Sequence, residues 1–159
     1  MKRANQLQPL SRQHHLGLNL SRHAKECIDE PAEISKHWLN ITGYLKEMEH
    51  HFRIEDNLIV DALRPYQDSK PEVASVLNTL DEQHKALHAL MEEGESSESS
   101  QSNPITVTQV RELATLLYDH IRFEERELFP IVESCLTEAE LDTIYEASPD
   151  SIKRSDENR

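Results

Sequence analysis

His51-Phe52-Arg53-Ile54-Glu55-Asp56 stands within a long helical pattern, and His120-Ile121-Arg122-Phe123-Glu124-Glu125 repeats it further along the chain. Both copies place His and Glu four residues apart, on one face of a helix. The apolar residues around the first copy, Trp38, Ile41, Leu45, Met48, Phe52 and Ile59, come three and four apart or in multiples of that step. Those around the second, Val110, Leu113, Leu117, Ile121, Leu128 and Ile131, do the same. That spacing lays an apolar stripe along an α-helix rather than a strand. Chance similarity between two amphipathic helices accounts badly for His, Arg and Glu all matching in register.

Four long helices follow from working outward. Residues 7–10 read as an N-terminal arm, with Pro9 blocking a helix before it, and Ser11 as the N-cap of a first helix over 11–27. Asp29 and Pro31 break it. The second helix covers 32–63 and ends at Pro65. Ser69 and Pro71 open a third, which carries Val73, Val76, Leu80, Leu87 and Met91. Residues 94–104 are polar and Ser-rich, which predicts a surface loop. Thr106 or Thr108 caps a fourth helix, and Pro130 predicts a kink or an end over 126–130. Thr137-Glu138-Ala139-Glu140 is a capping box for a short fifth helix. The expected fold is all-α: an up-down-up-down four-helix bundle with a short fifth C-terminal helix over 1–148, and a disordered polar tail over 149–159.

Composition agrees. The 159 residues include only three Gly, too few for a fold built on tight β-turns. Thirty acidic against 17 basic residues give a formal charge of -13. So acidic a chain repels phosphate backbones and anionic membranes, which argues against nucleic acid and membrane surfaces as partners. No run resembles a signal peptide or a membrane span. Cys27 and Cys135 match no metal or redox motif, so a reducing, cytoplasmic setting is expected.

Nine histidines are the unusual feature. At about 100° per residue, Glu55 falls about 40° and His51 about 80° from the centre of the second stripe. Glu124 lies nearly at the centre of the fourth, with His120 within about 50° and Glu125 about 90° away. His84 lies near the centre of the third stripe with His88 beside it, and His14 lies closer than His15 to the apolar face of the first. His23, His37 and His50 are excluded by phase or by height. Five inward imidazoles and two inward carboxylates are expensive in a bundle core unless paired or bound to metal. Height supports the set: His14 and His51 lie 17 residues before and 20 after Pro31, within about 5 Å of one level in antiparallel helices. A metal resolves all of these costs together.

One His on helix one, His-x-x-x-Glu on helix two, His-x-x-x-His on helix three and His-x-x-x-Glu on helix four resembles the hemerythrin family. The pattern is similar above all to the bacterial hemerythrin-like (HHE cation-binding) proteins. Leu10-Ser11-Arg12-Gln13-His14-His15 and the run from His120 to Pro130 add to the resemblance, which covers about residues 10–133. It implies two non-haem iron ions with an oxo or hydroxo bridge and two bridging carboxylates. Its ligands would be His14, His51, Glu55, His84, His88, His120 and Glu124. Oxygen-carrying hemerythrins place the helix-four carboxylate five residues after the His, the spacing of Glu125, whereas phase favours Glu124.

Imidazole and carboxylate without thiolate suit iron or manganese better than structural zinc. Five His and two bridging Glu fill about nine of the twelve positions of two octahedral ions, and an oxygen bridge takes about two more. A small ligand, dioxygen, nitric oxide or peroxide, is then the expected partner, in sensing, storage or stress response. The competing expectations are a di-iron enzyme reducing peroxide or nitric oxide, an iron store or donor for repair, and a plain helical interaction module.

Overall fold

The computed structural model describes residues 3–100 and 104–153, and the side chains of 3–96 and 104–153. The described residues are helical or loop, with no strand. The first rod is α1 (Gln8–Lys25). The second is built from α2 (Pro31–Glu47), α3 (Glu49–Arg53), a π-helical turn at Ile54–Ile59, and α4 (Val60–Leu63). The third is α5 (Pro71–Ser100). The fourth is α6 (Val107–Phe123), a second π turn at Glu124–Leu128, and α7 (Phe129–Cys135). A short α8 (Glu138–Ala147) follows. The rods run up, down, up and down, with α1 packed on α2 and α6, and α5 on α6.

Local chemistry explains most boundaries. Thr106 accepts from the Gln109 amide while Gln109 reaches back to the Thr106 amide, a full capping box, so Thr106 and not Thr108 starts α6. Thr137 and Glu140 do the same for α8. The kink expected at Pro130 takes the form of the π turn just before it; Pro130 follows in the first turn of α7, and the Glu125 carbonyl five residues earlier accepts from the Arg3 side chain. Ile54–Ile59 widens the second rod at the equivalent place in the repeat.

Three expectations differ from what is observed. Pro9 does not block α1 but lies in its first turn, and Ser11 is no cap; its hydroxyl points to Glu125. Residues 94–100 are not a loop, because α5 runs on to Ser100. Gly94 permits this: a Cβ there would lie 2.0 Å from Trp38 Cζ2, so only glycine lets the helix cross the buried indole. The predicted tail begins with a 3-10 turn at Asp150–Ile152, where Arg12 donates to the Ile152 carbonyl. Residues 101–103 of the predicted loop and 154–159 of the tail lie outside the described residues.

The Gly94→Ala chain should be less stable by about 1–3 kcal/mol, because the methyl overpacks Trp38. Alanine's better helix propensity, worth about 1 kcal/mol, acts the other way and keeps the loss modest. Urea denaturation measures the difference.

The buried apolar residues form two clusters rather than one. Leu7, Leu10, Ile59, Leu80, Leu128 and Phe129 belong to the first, and Trp38, Ile41, Leu87, Leu113, Leu117 and Ile121 to the second. A fully buried polar layer separates them: His14, His51, Glu55, His84, His120 and Glu124.

Candidate metal centre

Two carboxylates organise that layer, each dividing its oxygens between two pairs of imidazoles. Glu124 Oε1 lies 2.8 Å from His14 Nε2 and 3.5 Å from His51 Nε2. Its Oε2 lies 2.8 Å from His120 Nε2 and 3.8 Å from His84 Nε2. Glu55 Oε2 lies 3.2 Å from His51 Nε2, and Oε1 lies 3.2 Å from His84 Nε2. Two groups result, His14–His51–Glu55–Glu124 and Glu55–His84–His120–Glu124, each with its donor atoms within 4.8 Å of one another. Both Glu side chains are fully shielded from solvent.

The far nitrogen of every ring is held. His14 Nδ1 donates to Glu125 Oε2 at 2.6 Å, and His84 Nδ1 to Asp56 Oδ1 at 2.8 Å. His51 Nδ1 donates to Gln13 Oε1 at 2.8 Å, and His120 Nδ1 to Gln83 Oε1 at 2.6 Å. All four acceptors are oxygens, so the proton sits on Nδ1 and the Nε2 lone pair is aimed at the carboxylates. The pattern has an approximate two-fold symmetry. Gln-His on α1 and α5 alternates with His-x-x-x-Glu-acid on the second and fourth rods, and each group supports a ring on another rod.

Glu55 Oε1, His84 Nε2, His120 Nε2 and both oxygens of Glu124 are buried without a hydrogen-bond partner. Such atoms cost about 1–3 kcal/mol each when left so. They are close to one another yet not directed into hydrogen bonds, which is the arrangement expected of ligands converging on a cation. The donor set, nitrogen and oxygen with no sulfur, fits a borderline or hard metal ion.

Electrostatics follow from the crowding. Burial disfavours the charged form of His14, but the neighbouring carboxylates of Glu124 and Glu125 outweigh it and push His14 up to about 10. His84 goes up to about 12 against burial, through Asp56, Glu124 and Glu55. His51 rises likewise, against burial, through Glu55 and Glu124. Glu124, despite complete burial, is held well below the usual carboxylate range by His120 and His14. Without a cation, the layer therefore favours protons on His14, His51 and His84 in the cation's place.

Of the seven residues expected as ligands, the structure brings together His14, His51, Glu55, His84, His120 and Glu124. His88 is outside both groups and exposed. It lies one turn, about 6 Å, beyond His84 along α5. At that level Phe52 occupies the interior, its ring 4.7 Å from His84 and 6.4 Å from His88. The alternatives at helix ends are also separated: His15 and His50 are exposed, and Glu125 touches the far nitrogen of His14. His50 instead ties α8 to the bundle through the Ala147 carbonyl at 2.7 Å.

Sequence reasoning missed the supporting residues Gln13, Gln83, Asp56 and Glu125, although a signal was present. Gln precedes His in both Gln13-His14 and Gln83-His84, and an acid follows the inward Glu in both copies of the repeat. Tyr44 was also missed. Gly17 leaves room for its ring, since a Cβ there would lie 2.5 Å from the hydroxyl, and that hydroxyl donates to the Gln13 carbonyl at 2.8 Å. Burial, then the charges of Glu124 and Glu55, raise its phenol above the ordinary value.

A family model described as the hemerythrin HHE cation binding domain matches residues 5–132. No curated protein and no solved structure matches the chain. No helix among the described residues is long and apolar enough to cross a membrane.

Proposed function

The chain belongs to the hemerythrin HHE cation-binding family, and from that premise we propose that it is a non-haem di-iron protein that binds a small ligand such as dioxygen, nitric oxide or peroxide. The family implies cation binding, and the described His and Glu groups can hold a metal. The observation that carries the finer reading is the division of both carboxylates between the two imidazole pairs. A carboxylate serving one ion has no need to present its second oxygen to a second pair of imidazoles. Glu55 and Glu124 would bridge two irons, with His14 and His51 on one and His84 and His120 on the other.

The donors are four imidazole nitrogens and four carboxylate oxygens, eight in all. With His88 outside, one fewer position is filled than the seven-ligand set implies. Two octahedral ions offer about twelve positions, and an oxo or hydroxo bridge would fill two, leaving about two for an outside ligand. Bound iron would supply redox change and Lewis acidity. The protein holds the imidazoles by Nδ1, keeps Glu124 ionised and places apolar Phe52, Leu87 and Ile121 around the layer.

The test is anaerobic loading with Fe(II), metal analysis, and spectra on adding oxygen, nitric oxide or azide. Two irons per chain and a saturable azide band are expected; one zinc, or iron with no band, would replace gas binding by a structural or storage role. His15→Ala and His88→Ala should keep both irons, whereas His14→Ala and His84→Ala should each lose at least one.

A further inference from the structure

The near two-fold symmetry of the layer stops behind the rings. Glu125, which holds His14, is itself held: Ser11 donates to its two oxygens at 2.8 and 3.1 Å, and Arg3 approaches Oε1 at 3.5 Å. Arg3 is fixed by further contacts. It donates to the Glu125 carbonyl at 2.7 Å and to Glu133 Oε1 at 2.7 Å, and its guanidinium lies 5.4 Å from the Phe129 ring centre. The Ala4 amide donates to the other Glu133 oxygen at 2.5 Å. Phe129 in turn stacks on His14, with ring centres 5.6 Å apart and planes 17° apart. The N-terminal arm thus closes over the His14 half, leaving the Glu125 side chain 28% exposed and His14 only 2%.

The corresponding acid on the other half is open. Asp56, which holds His84, has a side chain 51% exposed. It borders a cleft of about 500 Å³ between the second rod and α5, lined also by Arg64, Asp81, Lys85, His84 and His88. His84 is the most exposed of the four rings, at 6%.

We infer that the two metal positions differ in exchange: the one at His84 and His120 communicates with solvent through this cleft, and the one at His14 and His51 is retained beneath the arm. Arg3 is a positioning residue that acts through Glu125 on the ring of His14. The inference rests on the two-ion reading above. An ion leaves when one ligand ring swings away and water takes its place. At His84 the partner of Nδ1 is a half-exposed carboxylate that water can replace. At His14 the tether is a carboxylate already pinned by a hydroxyl and a guanidinium, and its displacement requires the arm to lift. Support of this kind is worth about 10–100-fold in metal retention.

The experiment is release of iron from the fully loaded chain into an excess of a chromogenic Fe(II) chelator, followed by stopped-flow absorbance. Two phases of equal amplitude are expected, one ion each. Arg3→Ala should accelerate the slow phase about tenfold and leave the fast phase unchanged. Arg3→Lys, which keeps the charge but not the fork, should fall between. Asp56→Asn should accelerate only the fast phase. Ser11→Ala provides a second, milder loss on the Glu125 side should Arg3→Ala fold poorly. A general loosening of the fold would speed both phases together, which overturns the inference. Two ions leaving in a single phase, or a slow phase indifferent to both Arg3→Ala and Ser11→Ala, also overturns it while sparing the two-ion reading. Fewer than two ions per chain before the chelator is added defeats that reading itself.

Discussion

Glu124→Gln is expected to yield a folded chain with well under one metal ion, against the two proposed for the unaltered chain. Glu124 is the side chain that reaches all four imidazoles, at 2.8, 3.5, 3.8 and 2.8 Å from His14, His51, His84 and His120. Glutamine keeps the volume, so the packing between the two apolar clusters survives. It removes the charge, however, and turns one of the two acceptor oxygens into an N–H donor facing an imidazole nitrogen. An amide cannot bridge two cations with that donor, so both positions suffer from one substitution. Glu125→Gln should behave differently. That side chain meets only the far nitrogen of His14, and an amide oxygen can still accept there. Both ions should remain, with affinity at the His14 half lower by about tenfold. Metal analysis after gel filtration reads both results. If Glu125→Gln empties the centre and Glu124→Gln does not, the bridge is misassigned and the oxygen-carrier spacing applies.

Metal removal should lower the melting midpoint by roughly 8–16 °C, taking about 4 kcal/mol for a ligand present at a thousandfold its dissociation constant and about 2–4 °C per kcal/mol at this chain length. The pH dependence of the metal-free chain is the sharper test. His14 at about 10 and His84 at about 12 stand above the ordinary 6.5. Their contribution is fully present below pH 6.5 and is lost as pH rises through those values. Glu124 stands well below its ordinary 4.5, so its contribution is present above that pH and lost as pH falls through the lowered value. The metal-free chain should therefore be most stable between about pH 5 and 6.5 and weaken steadily towards pH 10. The loaded chain should not weaken over that range, because the cation and not a proton occupies Nε2. Binding must also release the protons of His14 and His84, so affinity falls as pH is lowered. Superimposable melting curves with and without chelator would show that the buried layer is satisfied without metal.

Much of this architecture is local and so was legible in the residue order. The three-and-four spacing around Trp38 and Leu117, the capping boxes at Thr106 and Thr137, and the break at Pro31 each depend on residues within a turn or two of one another. The same holds for the phase of His51, Glu55, His120 and Glu124, because an i to i+4 step puts both groups on one face wherever the helix goes. Errors arose where a local rule met a distant partner. Gly94 in a polar run signals a loop, until Trp38 from another rod explains why a glycine is needed inside a helix. His88 has acceptable phase, and only Phe52 from the second rod shows that its level is already filled.

The sequence by itself determined an all-α bundle with imidazoles and carboxylates turned inward at one height. Tertiary structure decided which atoms meet there. Helical periodicity gives the azimuth of a side chain about its own axis, but not the rotation and offset of one rod against the next. Those come from contacts such as Gly17 with Tyr44 and Gly94 with Trp38, and they set which oxygen of Glu124 faces which ring. They also set the crossed support of His14 by Glu125 and of His84 by Asp56. Both π turns shift the register where the inward Glu and its neighbouring acid must serve different nitrogens of one imidazole, a demand that only the packed neighbour imposes.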